Sequence, residues 1–133
     1  MDNRKLTEKI IGYAMKVHST LGPGFLEFVY KNALSHELQK AEIKIECERR
    51  LDVNYDGIVV GQYVADIIVE NQVILELKAI QSLNASHEVQ LVNYLTATSI
   101  EVGLLLNFGQ ERLKFKRKLR TLPPTSPPQN FIL

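Results

Sequence analysis

A chain of 133 residues is enough for one domain with a single core and too short for two. Hydrophobic residues make up 45%, so most of the chain is expected to fold, but a net charge of +1 lacks the basic excess with which a protein grips duplex DNA unaided. The lone Cys47 excludes an internal disulfide and a cysteine-based zinc site, while the polar start and the lack of any apolar run near about 20 residues point away from export and membranes and toward the cytoplasm.

Apolar residues recur at Leu6, Ile10, Ala14, Val17 and Leu21, the spacing of a helix that Gly22, Pro23 and Gly24 end. A second helix is predicted from about Leu26 to Lys40, with Leu26, Tyr30, Ala33, Leu34 and Leu38 on its apolar side. The period then changes. Ile43 to Tyr55 and Ile58 to Glu70 read as strands joined by an Asp56-Gly57 hairpin turn. A second tight turn at Asn71-Gln72 leads into a third strand, Val73 to Ile80.

Asn84 is suited to cap a helix that runs to about Ser99, with Ala85, Val89, Val92 and Leu95 as its buried stripe. Val102 to Phe108 reads as a buried strand, and Gly109-Gln110 turns into a last strand, Arg112 to Lys118. The expected order is ααβββαββ, an α/β domain over residues 1–120. Residues 121–133, rich in Pro-Pro pairs, are expected to form an extended or disordered tail.

Candidate chemistry concentrates on the second and third strands. Strand alternation puts Glu76 and Lys78 on one face, with Leu75, Leu77 and Ala79 on the other. Asp66 shares a face with Val64 and Ile68 and is a lone charge in an apolar run, where an unpaired carboxylate is costly. The Asn71-Gln72 turn can bring Asp66 beside Glu76. Two close carboxylates repel unless a cation lies between them, and Mg²⁺ or Mn²⁺, which takes oxygen ligands, fits that need. Lys78 beside it would orient or deprotonate a water, or stabilise charge on a phosphate. Taken alone, Glu-x-Lys on a strand is usually a solvated face; Asp66 inside an apolar run is what brings the metal reading level with it.

Glu27 lies on the apolar side of its helix, but Glu37 projects into the same stripe, and Glu27 also reads as a helix N-terminal carboxylate paired i,i+4 with Lys31. His87, Gln90 and Tyr94 flank the third helix, where they can position a water and a phosphate or simply form a polar rim. Lys114, Lys116, Lys118 and Arg120 alternate along the last strand, as a phosphate-binding strip or as an edge strand guarded by lysines. His18 and His36, without partners at ligand spacing, read as surface or helix-flank residues.

These residues, in this order, resemble the PD-(D/E)xK nuclease superfamily and, within it, the GxxExxY protein family. Gly24-Phe25-Leu26-Glu27-Phe28-Val29-Tyr30 matches the GxxExxY motif at each fixed position. Asp66 followed by Glu76-Leu77-Lys78 matches the superfamily's central Asp and Glu-x-Lys, and Gln90 to Tyr94 is similar to the Gln-x-x-x-Tyr element of RecB-like members. Ala65 stands where many such nucleases have proline before the Asp.

The resemblance spans about Leu6 to Lys118 and implies a central mixed sheet flanked by helices. It implies Mg²⁺ or Mn²⁺ on Asp66, Glu76 and the Leu77 carbonyl, Lys78 activating the nucleophile, and Glu27 and Gln90 completing the catalytic set. Tyr30, Tyr94, His87, Lys114 and Lys116 are the candidate binding residues. The expected function is metal-dependent hydrolysis of phosphodiester bonds in DNA or RNA. The alternatives are a catalytically silent binding module on the same fold and a structural oligomer. Low net charge also makes a homodimer a reasonable means of holding nucleic acid.

Overall fold

The computed structural model describes residues 3–121. Its elements are α1 (Asn3–Leu21), α2 (Glu27–Lys40), β1 (Ile45–Tyr55), β2 (Ile58–Val69), β3 (Val73–Lys78), α3 (Ala85–Thr98), β4 (Val102–Asn107) and β5 (Lys114–Leu119). The predicted order ααβββαββ is the observed one. The proline-rich segment expected to be extended lies outside the described residues from position 122 onward.

The strands form one mixed sheet in the order β1-β2-β3-β4-β5. Hairpins make β1, β2 and β3 antiparallel, α3 carries the chain across to a parallel β4, and β5 returns antiparallel at the edge. Asp56 and Gly57 both take positive φ, 53° and 75°, as the tight primed turn of a hairpin requires. The next turn comes one residue earlier than expected. Glu70 and Asn71, rather than Asn71 and Gln72, take the left-handed conformation, and the Glu70 carboxylate is held by the Lys44 N–H at 2.9 Å.

Helices α1 and α2 cover one sheet face. Leu6, Ile10, Ala14 and Val17 from α1 and Tyr30, Leu34 and Leu38 from α2 pack with Ile67, Val69, Leu75, Leu77, Leu104 and Leu106. Leu26 is not part of this stripe: it is the N-cap residue of α2 and is 71% exposed. Glu37, which the helical wheel could not separate from Glu27, pairs with Lys16 of α1 at 3.1 Å. His18 is also buried, against expectation, and its Nε2 meets the Gln110 carbonyl at 2.8 Å.

Helix α3 covers the other face through Leu91 and Leu95, which pack with Leu51, Tyr63, Ala65, Ile68, Ile74 and Leu105. The expected stripe of Ala85, Val89 and Val92 is therefore rotated, and Val89 is 58% exposed. The cause lies in the sheet. Leu91 fills the space over Gly103 of β4, where a Cβ would come within 2.9 Å of its side chain. Asn84 caps α3 as predicted, accepting from the Ser86 N–H at 2.9 Å. Among the described residues no helix is long and apolar enough to cross a membrane.

The exit of β3 is fixed by Asn107, fully buried at the end of β4. Its side-chain oxygen accepts from the Ile80 N–H at 3.1 Å, and its side-chain amide donates to the Ile80 carbonyl at 3.0 Å. Gly109 packs so tightly here that an added Cβ would lie 2.2 Å from the Ile80 carbonyl oxygen. Gly109→Ala should therefore lower stability by at least about 2 kcal/mol, because main chain cannot yield as a flexible side chain can. Gly12→Ala, in open space on α1, should raise it by up to about 1 kcal/mol. Urea denaturation of both variants checks this contrast.

Candidate functional site

The β2–β3 ladder is short. It pairs Val69 with Val73, Ile68 with Ile74 and Ile67 with Leu75, and no further. One step along the same register stand Asp66 and Glu76, where the strands part. At this point Asp66 Oδ2 accepts the Leu77 N–H at 2.9 Å, so a carboxylate replaces the main-chain acceptor that a continuing strand would have offered.

The faces of β2 exchange at Asp66. Tyr63 and Ala65 pack under α3, whereas Ile67 and Val69 pack under α1 and α2. Regular alternation through Val64, Asp66 and Ile68 does not hold: Val64 is 48% exposed and Ile68 is buried toward α3. Opposite the exchange lies Glu48 of β1, a non-glycine residue at φ 54°. Beyond the fork, β1 and β2 pair only with each other as a two-stranded ribbon.

Asp66 opens onto a cavity of about 430 Å³ lined by Leu26, Glu27, Phe28, Lys31, Asp66 and Leu77. Glu27 reaches it from the first turn of α2, and its place there is set by the turn before it. Gly24 sits at φ 113°, a conformation that side chains rarely adopt. The Tyr30 hydroxyl donates to the Gly22 carbonyl at 2.6 Å and accepts the Phe25 N–H at 3.1 Å. The Tyr30 ring is completely buried and stacks on Phe108 at 4.7 Å. Tyr30, expected to contact substrate, has no exposed surface to do so; it pins the Gly-Pro-Gly turn and thereby fixes where α2 begins.

Glu76 and Lys78 alternate with Leu75 and Leu77 and so leave β3 on the side away from α2. The gap left by β2 joins the two faces at this level, and the charged groups influence one another across it. Burial pushes the Glu76 carboxyl up to about 7, despite Lys78 and the Asp66 amide, with Glu27 raising it further. Glu76 Oε1 is buried without a hydrogen-bond partner. Burial also raises Asp66, against the Leu77 amide, Lys31 and Lys78. Glu27 is raised by partial desolvation and by Asp66, with Lys78 and Lys31 opposing. Five groups thus form one electrostatic cluster: Glu27, Lys31, Asp66, Glu76 and Lys78.

The sequence offers Lys31 only as an i,i+4 partner for Glu27, but its ammonium pairs instead with Glu48 across the α2–β1 gap. Nothing in the sequence marks Glu48 for this. Among the described residues no three His, Cys, Asp or Glu side chains converge as a metal cage. The oxygen atoms on offer are the free oxygens of Asp66 and Glu76, an arrangement that suits a hard cation keeping several waters.

The α3 candidates are dispersed. His87 Nδ1 accepts the Asn84 N–H at 3.2 Å and completes the helix cap. Gln90 is exposed and donates to the Tyr94 hydroxyl at 3.2 Å. Tyr94 stacks on Tyr63 at 3.5 Å. None of the three hydrogen-bonds to Asp66, Glu76 or Lys78. Lys114 and Lys116 lie on an edge strand, as one of the two readings held. They are also in register with the site, since Lys78 pairs across Asn107 to Lys114 and Glu76 across Leu105 to Lys116, about 10 Å away.

A family model described as the PD-(D/E)XK nuclease superfamily matches residues 4–118. The chain is also similar to the crystal structure of SSO0001, with a TM-score of 0.58 and 24% identity, a similarity of fold alone. The match covers 73% of this chain but only 52% of that one, so the chain spans about half its length. No curated protein matches.

Two outcomes follow from this geometry. Tyr30→Phe should cost about 1–2 kcal/mol, because it leaves the Phe25 N–H and the Gly22 carbonyl without their partner; thermal melting measures it. Glu76 keeps its proton in the folded chain up to about 7, whereas the unfolded chain loses it near 4.5. The folded state thus binds the extra proton, and metal-free stability should fall by up to about 3 kcal/mol as pH rises between those values. Glu76→Gln should flatten that fall and be the more stable protein at pH 8.

Proposed function

Because the chain belongs to the PD-(D/E)XK nuclease superfamily, we propose that it is a divalent-metal-dependent nuclease hydrolysing phosphodiester bonds in DNA or RNA. The observation that carries this reading is the fork itself. It holds a carboxylate on each strand, Asp66 and Glu76, together with a buried Glu76 oxygen that lacks any partner. A buried carboxyl oxygen without a partner is costly to ionise unless a cation answers it.

Asp66, Glu76 and the Leu77 carbonyl are the groups that would hold Mg²⁺ or Mn²⁺. When bound, such an ion supplies Lewis-acid stabilisation of phosphate charge and makes water more acidic. The chain's own residues do the rest. Lys78 orients the attacking water and offsets negative charge as the new P–O bond forms and the old one breaks. Glu27 holds water at the mouth from the α2 side. Gln90, which the structure engages with Tyr94, completes the set only by rotating toward the site. Lys114 and Lys116 in the same sheet rows hold the flanking backbone, and the proposed setting is the cytoplasm, with a second copy adding surface for the polymer.

One observation favours the silent binding module instead: a net charge of +1 offers little general attraction to a polyanion. Turnover separates the two. Purified protein with Mn²⁺ should cleave at least one member of a panel of single- and double-stranded DNA and RNA. Asp66→Ala, Glu76→Ala and Lys78→Ala should each lower the rate at least about a hundredfold. Cleavage that survives all three would place the activity elsewhere, and binding without cleavage across the panel would establish the silent module.

A further inference from the structure

The cavity beside the fork has two kinds of wall. Glu27, Lys31 and Asp66 form a charged floor, and Leu26 and Phe28 form an apolar rim. The rim is unusually open for such residues: Phe25 is 47% exposed, Leu26 71% and Phe28 55%. Single exposed apolar residues are commonplace on protein surfaces. Three large ones within four positions, two of them lining a cavity with charged side chains, have the character of a binding site. The turn that carries them is held firmly by Tyr30 from below, so the rim is presented on a fixed support.

From this we infer that the Leu26–Phe28 rim is a base-binding subsite, which receives an unpaired nucleobase next to the phosphodiester held at the fork. The inference rests on the nuclease reading and extends it to the form of the substrate. A nucleotide offers a group to each wall, with an apolar base face toward the Leu26–Phe28 rim and an anionic phosphate toward Lys31, the cationic residue of the floor. In a duplex each base face is covered by its neighbours. Only a single strand, or a nucleotide splayed from a helix, can offer a face to Phe28. The charge balance points the same way. With a net charge of +1, phosphate neutralisation supplies little affinity, and stacking is the remaining source.

The test uses the full chain carrying Glu76→Gln, chosen to suppress turnover while leaving Lys31, Asp66 and the rim in place, and fluorescence anisotropy in Mg²⁺. The probes are labelled oligodeoxythymidylate, oligouridylate and a DNA duplex of equal length. The single strands, of either sugar, should bind more tightly than the duplex. Adding Leu26→Ser and Phe28→Ser should weaken them about tenfold or more, and Phe28→Trp should retain binding. Because both positions are exposed, the folded state should melt unchanged.

Equal affinity with and without the rim substitutions overturns the inference, as does a duplex bound as tightly as the single strands. A dimer in sedimentation that the rim substitutions dissociate would also overturn it, by showing that a second copy covers the rim. If the substituted rim binds normally while the unsubstituted chain still cleaves, only the subsite fails. If neither binding nor cleavage is found with any probe, the nuclease reading fails with it.

Discussion

The hydrogen bond from the Leu77 N–H to Asp66 Oδ2 sits where β2 and β3 separate, and most of the site depends on that separation. A strand that peels away from its neighbour leaves main-chain donors in need of partners, and a buried donor without one is costly. Asp66 meets that need with one oxygen and keeps the other available. The fork also brings the next register position, Glu76, into the same opening. Structure and chemistry thus meet in one residue, and the free oxygen that the fold leaves over is the one a cation would use.

The α2 side is built by a different device. In Gly24-x-x-Glu27-x-x-Tyr30 only the middle fixed residue faces the cavity. Gly24 supplies a backbone angle, and Tyr30 supplies a buried hydroxyl that ties the turn together. Glu27 therefore arrives beside Asp66, close enough for the Asp66 carboxylate to oppose its ionisation. Lys31, one turn further along, is anchored by Glu48 and moderates the same charges. The site is anionic but already carries two ammonium groups, which is how a chain of low net charge can keep three carboxylates near one another.

Much of this was legible in the sequence because periodicity reports burial. The apolar spacing of α1 located Leu6, Ile10, Ala14 and Val17 correctly, and the alternation of β3 separated Glu76 and Lys78 from their core neighbours. What stayed hidden depended on contacts between distant elements. The rotation of α3 follows from Gly103, which lets Leu91 approach β4 and turns Val89 outward. The face exchange at Asp66 falls where pairing with β3 ends and opposite the left-handed Glu48, neither of which a local pattern announces. Asn107 and Glu48 were missed for the same reason: a buried amide bridging to Ile80 and a carboxylate holding Lys31 look, in sequence, like ordinary strand residues.

The central claim is that the fork between Asp66 and Glu76 is a cation site. A crystal structure of the full chain soaked in Mn²⁺, with anomalous scattering recorded, tests it most directly. The account predicts an anomalous peak between the two carboxylates, within bonding distance of the free Asp66 oxygen, of Glu76 Oε1 and of the Leu77 carbonyl. A fork without such a peak, with Glu76 Oε1 still unpartnered or turned to another protein group, would contradict it.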